Sequence, residues 1–456
     1  MGAVWSSVAD YVHSLGLDAY VVGGAVRDEL LGIPVRELDF VVPGVGHAEL
    51  RAALEPHGRV EDLIVADQRV GVRLLPRDSD ARALQPTGIE LAPPRVERST
   101  GPGRHDFEIV AAAGVSLEED MQRRDFTINA IARRLETGEV LDPLDGRSDL
   151  ERGVLRTTSP TSFRDDPLRI VRGLRFVSQL GFEPDEDTLR QMREWAPQLE
   201  HVSAERIGGG LAADGLGELS KLLLGTHPAK ALRLARDAGV ILHVLPEFEP
   251  ALGYDQQSAR QHLTLDEHVF EVVQAAAAAG VPLEVRLATL LHDLGKPEAE
   301  REGGDHAAIG AAIAARALSR VRYPTRLRDY VVRLVREHPF DPEGEPSPVD
   351  ARRFLARHGE RLAFDLLAHR TADLAGKTVP QSEWEWLERF RTLVEQERAQ
   401  PHRLADLEVD GSDLIAIGFA EGPALGLALR TLLNEVVEEP ERNRRERLLT
   451  RARELA

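Results

Sequence analysis

The feature that most constrains the fold of this chain is a change of pattern near residue 140. Upstream, short β-type runs (Ala19 to Val22, Leu38 to Val42, Val70 to Leu75) are interleaved with helical stretches, whereas downstream the apolar residues recur at helical spacing. A strand sends alternate residues to one face and a helix every third or fourth, so the switch separates a sheet-bearing segment from a helical remainder. The fold class is therefore α+β. At 456 residues the chain also exceeds what one hydrophobic core organises, and breaks in the pattern divide it into 1–140, 141–225, 226–395 and 396–456. Residues 76–106, rich in Pro, Gly, Arg and Asp with little periodicity, read as a long loop or flexible hairpin. Ile170, Leu174 and Val177 mark a helix that Gly181 stops.

Composition excludes several classes. Hydrophobic residues at 42% and charged residues at 29% describe an ordinary globular protein. No apolar run approaches the roughly 20 residues that span a bilayer, and no basic segment followed by an apolar stretch opens the chain, which reads as cytoplasmic with no membrane partner. With no cysteine, any metal must sit on His, Asp and Glu. A net charge of −19 opposes tight non-specific binding to a polyanion, so any nucleic acid must meet a local basic surface. One candidate is the run from Glu151 to Arg175, where Arg152, Arg156, Arg164, Arg169, Arg172 and Arg175 outnumber Glu151, Asp165 and Asp166. The Arg-rich segment after Glu441 is another, although either would serve as a solvated helix face.

Two constellations carry chemistry. In the first, a strand from Asp18 to Val22 runs into Gly23-Gly24 and a short helix from Ala25 to Leu31. Glycines there let backbone approach a ligand closely. Glu37 and Asp39 follow on a strand, two apart and so on one face, where a carboxylate pair can hold the Mg²⁺ ions of in-line phosphoryl transfer. Further on, Arg123, Arg124, Asp125 and Asn129 place two guanidiniums, a carboxylate and an amide within two turns, a set able to clamp triphosphate oxygens and a ribose hydroxyl. Glu90, on a possible strand from Ile89 to Leu91, is a weaker candidate for a further acid.

Gly23-Gly24-Ala25-Val26-Arg27-Asp28, the acidic pair ending in Asp39, the Arg123 to Ala130 segment, Asp142-Pro143-Leu144-Asp145-Gly146 and Asp165-Asp166-Pro167-Leu168-Arg169 occur in that order. Together with Asp410-Gly411-Ser412-Asp413-Leu414 they closely resemble the class II tRNA nucleotidyltransferase and poly(A) polymerase family. The resemblance implies a polymerase-β-like catalytic head over 1–140, a helical neck over 141–225, a body over 226–395 and a tRNA-binding tail over 396–456. It implies Mg²⁺ on Glu37 and Asp39, nucleotide binding by Gly23, Gly24, Arg27, Arg124, Asp125, Asn129, Arg172 and Arg175, and base selection by Asp165, Asp166 and Arg169. The implied partners are the tRNA 3′ end, CTP and ATP, with addition of CCA, CC or A, or poly(A) synthesis, all compatible. On one helix, Asp166 and Arg169 would share a face and present an acceptor and a donor fork to a base. Two positions depart from the family pattern: Glu37 and Asp165 stand where Asp and Glu are usual.

The second constellation comprises His268, the adjacent pair His292-Asp293, then His306, His338 and Asp373. It resembles an HD-domain phosphohydrolase, with His268, His292, Asp293 and Asp373 matching its four-ligand pattern and His306 and His338 at positions that serve a second metal in some HD proteins. Imidazole and carboxylate donors suit Mn²⁺, Ni²⁺, Fe²⁺ or Mg²⁺, and such a site hydrolyses phosphoesters. A different class, an HD phosphohydrolase whose head has decayed into an RNA-binding module, is the reading that Glu37 motivates.

Overall fold

The computed structural model describes residues 3–35, 38–65, 67–99, 107–111, 113–209, 215–257, 262–340 and 344–455. Contacts divide the chain into two units, Met1–Pro246 with Arg320–Tyr323, and Glu247–Ser319 with Pro324–Ala456.

The first unit is built on strands β1 (Tyr20–Val22), β2 (Asp39–Val41), β3 (Gly58–Val65), β4 (Gln68–Pro76), β5 (Ile89–Ala92), β6 (Arg95–Ser99), β7 (Phe107–Ala111), β8 (Ala132–Arg134) and β9 (Val140–Leu141). Seven of them form one sheet in the order β3-β4-β5-β2-β1-β8-β9, while β6 and β7 pair separately as a hairpin. All neighbours in the large sheet are antiparallel except β2 and β5, whose parallel register sets Asp39 against Glu90. Val21, Phe40, Val72, Leu74 and Leu91 are buried, as are Leu50 and Leu54 of the helix His47–Leu54. Each such side chain contributes about 1.5–3 kcal/mol of burial.

The expectation of a long loop or flexible hairpin over 76–106 is corrected in part: β6 pairs with β7 as a hairpin and the possible strand from Ile89 to Leu91 is β5, but the segment is not a loop throughout. That segment contains the helix Ser79–Leu84, capped by Asp78 through the amides of Asp80 and Ala81, then β5 and β6. A four-residue strand such as β5 owes its pairing to β4 and β2 on either side.

Past the sheet, the helix Leu168–Leu180 buries Ile170, Leu174 and Val177 and ends at Gly181 with φ +73°, the left-handed conformation that favours glycine. Gly173 on this helix permits close packing: a Cβ there would lie 2.8 Å from Met192 Cε and 3.0 Å from Phe126 Cζ.

The second unit is helical. The helices Leu265–Ala278, Leu283–Leu291, Thr325–Glu337 and Glu360–Ala375 pack around Val269, Phe270, Leu287, Leu290, Leu334 and Leu366, all buried. A separate core of Leu414, Leu432, Val436, Leu448 and Ala452 joins the last helices. Among the described residues no helix is long and apolar enough to cross a membrane.

Candidate active sites

In the first unit, β1 delivers the chain to Gly23 at φ +72°, and the helix Gly24–Leu30 begins. A Cβ on Gly23 would sit 2.7 Å from Arg124 Nη1, so glycine both relieves the backbone and leaves room for that guanidinium. Asp39 is exposed at the start of β2, and Glu90 beside it on β5 accepts from Arg73, with Nη2 2.5 Å from Oε1. Asp39, Glu90, Arg95, Arg123 and Arg124 line one groove of about 280 Å³. Glu37 lies outside the described residues.

Arg123 and Arg124 are aimed by a residue that the sequence reading missed. Asp120, fully buried, receives Arg123 Nη2 at 2.7 Å, Arg124 Nη2 at 3.0 Å and the Arg95 amide at 3.1 Å. Burial alone would raise its pKa, but the two guanidiniums outweigh it and hold the carboxyl below its usual value. The available signal was the i, i+3 and i, i+4 spacing from Asp120 to the two arginines.

A second buried chain of polar contacts runs from Arg27 to Arg175. Arg27 Nη1 donates to Asn129 Oδ1 at 2.7 Å, and Asn129 Nδ2 donates to Asp125 Oδ1 at 2.9 Å. Asp125 Oδ2 accepts from Arg172 Nε and Nη2 at 2.9 and 2.7 Å, and Glu218 lies 3.4 Å from Arg172 and 3.2 Å from Arg175. Burial would raise the pKa of Asp125, yet the charge of Arg172 and the Asn129 hydrogen bond drive it far below the carboxylate range. Arg175, buried next to Arg172, is lowered to about 10. The guanidiniums of Arg27, Arg172 and Arg175 surround the Phe176 ring at 5.1, 6.0 and 4.5 Å. Asp125 and Asn129 thus brace the arginines on either side of them.

The expectation that Asp165, Asp166 and Arg169 share one helix is corrected. The short helix Ser162–Asp165 ends, Asp166 is extended at φ −143° and ψ 100°, and a new helix starts at Leu168. Pro167 disfavours helical geometry in the residue before it, which accounts for the break. Asp165 Oδ2 accepts from Thr161 Oγ1 at 2.7 Å. Asp166 Oδ1 accepts the Leu168 amide at 3.1 Å, and its Oδ2 lies 2.9 Å from Arg206 Nη2. Arg169 donates to the carbonyls of Arg123 (2.7 Å) and Arg124 (3.3 Å) and to Ser162 Oγ (3.0 Å), which ties it to the loop behind the groove.

In the second unit, the histidines converge. His268 Nδ1 lies 3.0 Å from Gly376 O, His292 Nδ1 2.8 Å from Thr289 O and His338 Nδ1 2.7 Å from Val335 O. Each carbonyl fixes the proton on Nδ1 and leaves Nε2 as a lone-pair donor. His268 Nε2 and His292 Nε2 face each other at 3.4 Å, a separation that two donors roughly 2.1 Å from a shared ion would have. Asp373 Oδ1, buried and without a directed hydrogen bond, lies 3.3 and 3.6 Å from those two atoms. Asp293 serves two groups, its Oδ2 3.4 Å from His268 and 3.2 Å from His292, its Oδ1 3.8 Å from His306 and 3.7 Å from His338. The donors therefore fit divalent cations in two sets joined by Asp293: His268, His292, Asp293 and Asp373, and Asp293, His306 and His338. Without a cation, burial lowers the pKa of His292 but Asp293 and Asp373 override it and raise the imidazole to about 9, and a bound cation would take the place of that proton on Nε2.

Lys296, Lys377 and Arg370, not singled out in the sequence, stand around these acids: Lys296 Nζ is 2.6 Å from Asp293 Oδ2, and Lys377 Nζ and Arg370 Nη1 are 2.6 and 3.2 Å from Asp373 Oδ2. All three line a groove of about 500 Å³ with Asp293, His306, His338 and Asp373. His369 was also missed. It is buried one helical turn before Asp373, its ring centroid 5.1 Å from that of His292 and 5.4 Å from that of His338.

Residues 19–156 match the poly A polymerase head domain, 181–252 the probable RNA and SrmB-binding site of polymerase A, and 265–379 the HD domain. Fold and sites thus define a nucleotidyltransferase head followed by a polymerase-type RNA-binding segment and an HD domain. A multifunctional CCA protein from Azoarcus sp. (strain BH72) is 38% identical over 328 residues, 70% of this chain and 73% of that protein, and one from Nitrosococcus oceani is 36% identical over 330 residues, 71% and 74% of the two chains. The chain belongs to the tRNA nucleotidyltransferase and poly(A) polymerase family. The crystal structure of the Bacillus stearothermophilus CCA-adding enzyme in complex with CTP is 25% identical with a TM-score of 0.69, covering 100% of this chain and 98% of that one. The Thermotoga maritima CCA-adding enzyme complexed with tRNA shares the fold, with a TM-score of 0.59 at 22% identity over 99% and 95% of the two chains.

Proposed function

We propose that this protein extends the 3′ end of tRNA from CTP and ATP, adding all or part of the terminal CCA. The observation that carries the reading is the parallel register of Asp39 and Glu90 in a groove shared with Arg123 and Arg124. Asp39, with Glu37 and Glu90, would hold Mg²⁺, which neutralises the triphosphate and favours ionisation of the attacking hydroxyl. Arg124 and Arg27 face phosphate, with Asp120 and Asn129 fixing their directions. Asp166 and Arg169 would read the base, one as acceptor and one as donor fork, by exchanging their contacts with Arg206 and with the carbonyls of Arg123 and Arg124. Residues 1–140, 141–225, 226–395 and 396–456 act as head, neck, body and tail in a cytoplasmic enzyme.

The body is read as a phosphohydrolase using Mn²⁺, Ni²⁺, Fe²⁺ or Mg²⁺ to remove a 2′,3′-cyclic or terminal phosphate. Its support is the convergence of Nε2 donors on buried carboxylates with three cations at the rim. Incubation with tRNAs ending before, within and after CCA, one nucleotide supplied at a time with Mg²⁺, tests the transferase reading. Stepwise extension that stops after CCA, CC or A defines the product, and no extension of any tRNA overturns the reading.

A further inference from the structure

Arg172 and Arg175 are three apart on the helix Leu168–Leu180, hence on one face, and both meet the same carboxylate. Glu218 Oε1 accepts from Arg172 Nη1 at 3.4 Å, and its Oε2 lies 3.2 Å from Arg175 Nη1. The two contacts do different things. Arg172 already has a counter-charge in Asp125, which takes Nε and Nη2, so Glu218 engages the remaining nitrogen, fixes the guanidinium plane and leaves further N–H groups on both terminal nitrogens for a ligand. Arg175, among the described residues, pairs with no acid but Glu218, and its Nε has no hydrogen bond. Burial and the neighbouring Arg172 lower the Arg175 pKa, and of the acids that oppose them Glu218 acts more strongly than Asp125. Glu218 thus sustains one cation and orients another.

The carboxylate is itself held. A Cβ on Gly217 would lie 2.4 Å from Ile207 O and 2.6 Å from Gly208 O, so the chain enters the helix Glu218–Leu223 pressed against that turn, and Ser220 Oγ donates to Gly208 O at 3.3 Å. At the far end Ser178 Oγ donates to Leu222 O at 2.6 Å, which ties this helix back to the one that carries the arginines. With its backbone fixed and its side chain buried, Glu218 has little freedom to follow the guanidiniums, so they must follow it.

We propose that Glu218 is a positioning residue for nucleotide binding, holding Arg172 and Arg175 as a pair that meets the incoming nucleotide. This rests on the transferase reading above. Glu218 touches no reacting atom, so its loss falls on nucleotide affinity and leaves the chemical step and the grip on RNA largely as they are.

The test uses the full chain with Mg²⁺. Glu218→Gln keeps the shape of the side chain and removes its charge. KM for CTP and for ATP should rise by about tenfold, the loss expected of one charged hydrogen-bonded contact, with kcat and the KM for a tRNA lacking CCA within about threefold of wild type. Glu218→Asp, which keeps the charge and shortens the reach, should fall between the two. An unchanged nucleotide KM, or an equal rise in the nucleotide and tRNA values, overturns the proposal, the second outcome assigning Glu218 to packing of its own helix. If Glu218→Gln fails to fold because Arg175 loses its counter-charge, Glu218→Gln combined with Arg175→Gln removes both buried charges. That double variant should bind CTP several-fold more weakly than Arg175→Gln alone, since only the double variant releases Arg172, and equal affinities overturn the proposal. If the wild type extends no tRNA, the transferase reading fails, and calorimetric CTP affinity then decides the role of Glu218 alone: about tenfold weaker binding by Glu218→Gln supports it and equal binding overturns it.

Discussion

Asp39 is exposed at the start of β2, and Glu90 on the neighbouring strand is held by Arg73. Asp39→Asn should fold normally and lose about a thousandfold or more in nucleotide addition, since metal stabilisation of the transferred phosphate is worth several kcal/mol. Glu90→Gln should lose less, and single-turnover incorporation with labelled CTP measures both. Arg169 and Asp166 invite a subtler test. Arg169→Ala should reduce discrimination for CTP and ATP over UTP and GTP by about one to two orders of magnitude, because an unpaired buried base edge costs roughly 1–3 kcal/mol. Arg206→Ala, which frees Asp166 Oδ2, should shift the same ratios in the same direction by a smaller amount. Unchanged ratios on a tRNA lacking CCA would assign Arg169 to bracing the loop carbonyls. Residues whose chemistry sits in a local motif were legible in the sequence. Asp120 was within reach through helical spacing, but Glu218 and Arg206 were not, because they meet Arg172 and Asp166 from 46 and 40 residues away and only the fold sets those pairs.

Pro167 shows how one element can carry two conflicting signals. The apolar spacing favoured a continuous helix, while the Asp-Pro step opposed it, and the backbone follows the steric rule. For β5 the difficulty was different: a possible strand over Ile89 to Leu91 was legible, but four residues carry too little pattern to say which strands flank it. The turn after the His292-Asp293 pair is equally specific. A Cβ on Gly295 would lie 2.2 Å from His306 O and 2.6 Å from the Gly310 amide, so the helix His306–Arg320 can approach only a glycine. Gly295→Ala should destabilise the second unit by about 1–3 kcal/mol in urea and weaken metal retention, because it separates His306 from Asp293. Nearby, His358 is buried against Phe354 and 4.0 Å from Glu337, and burial lowers its imidazole from 6.5 to about 4, with Arg357 and Arg333 opposing the pull of Glu337. Between those values the unfolded chain binds the proton and the folded chain does not, so stability is full above about pH 6.5 and falls as pH drops toward 4. His358→Leu should flatten that slope in urea melts compared at pH 7 and pH 5.

A chain of net charge −19 that acts on RNA must organise its positive charge locally, and it does so with acids as counterparts. The arginines between 151 and 175 that read as a basic surface are engaged: Arg152 and Arg156 with Asp149, Arg164 with Asp165, Arg172 and Arg175 with Glu218, and Arg169 with backbone carbonyls. Counting charges along the sequence could not reveal this, because Asp149 and Glu218 lie outside the counted window. The acids and arginines of the head groove belong to one contact unit and the histidine cluster to the other. His292→Ala combined with Asp293→Ala should therefore abolish metal binding in the body and phosphate release from a nucleoside 2′,3′-cyclic phosphate, while nucleotide addition stays within about twofold of wild type. Removing Asp293 leaves Lys296 without its carboxylate partner, so some loss of stability is expected in the second unit, and addition should be assayed well below its unfolding temperature. Metal content by mass spectrometry, cyclic-phosphate hydrolysis and CTP incorporation on one preparation give the three readouts. Loss of incorporation in a double variant that remains folded would show that the histidine cluster is part of the transferase.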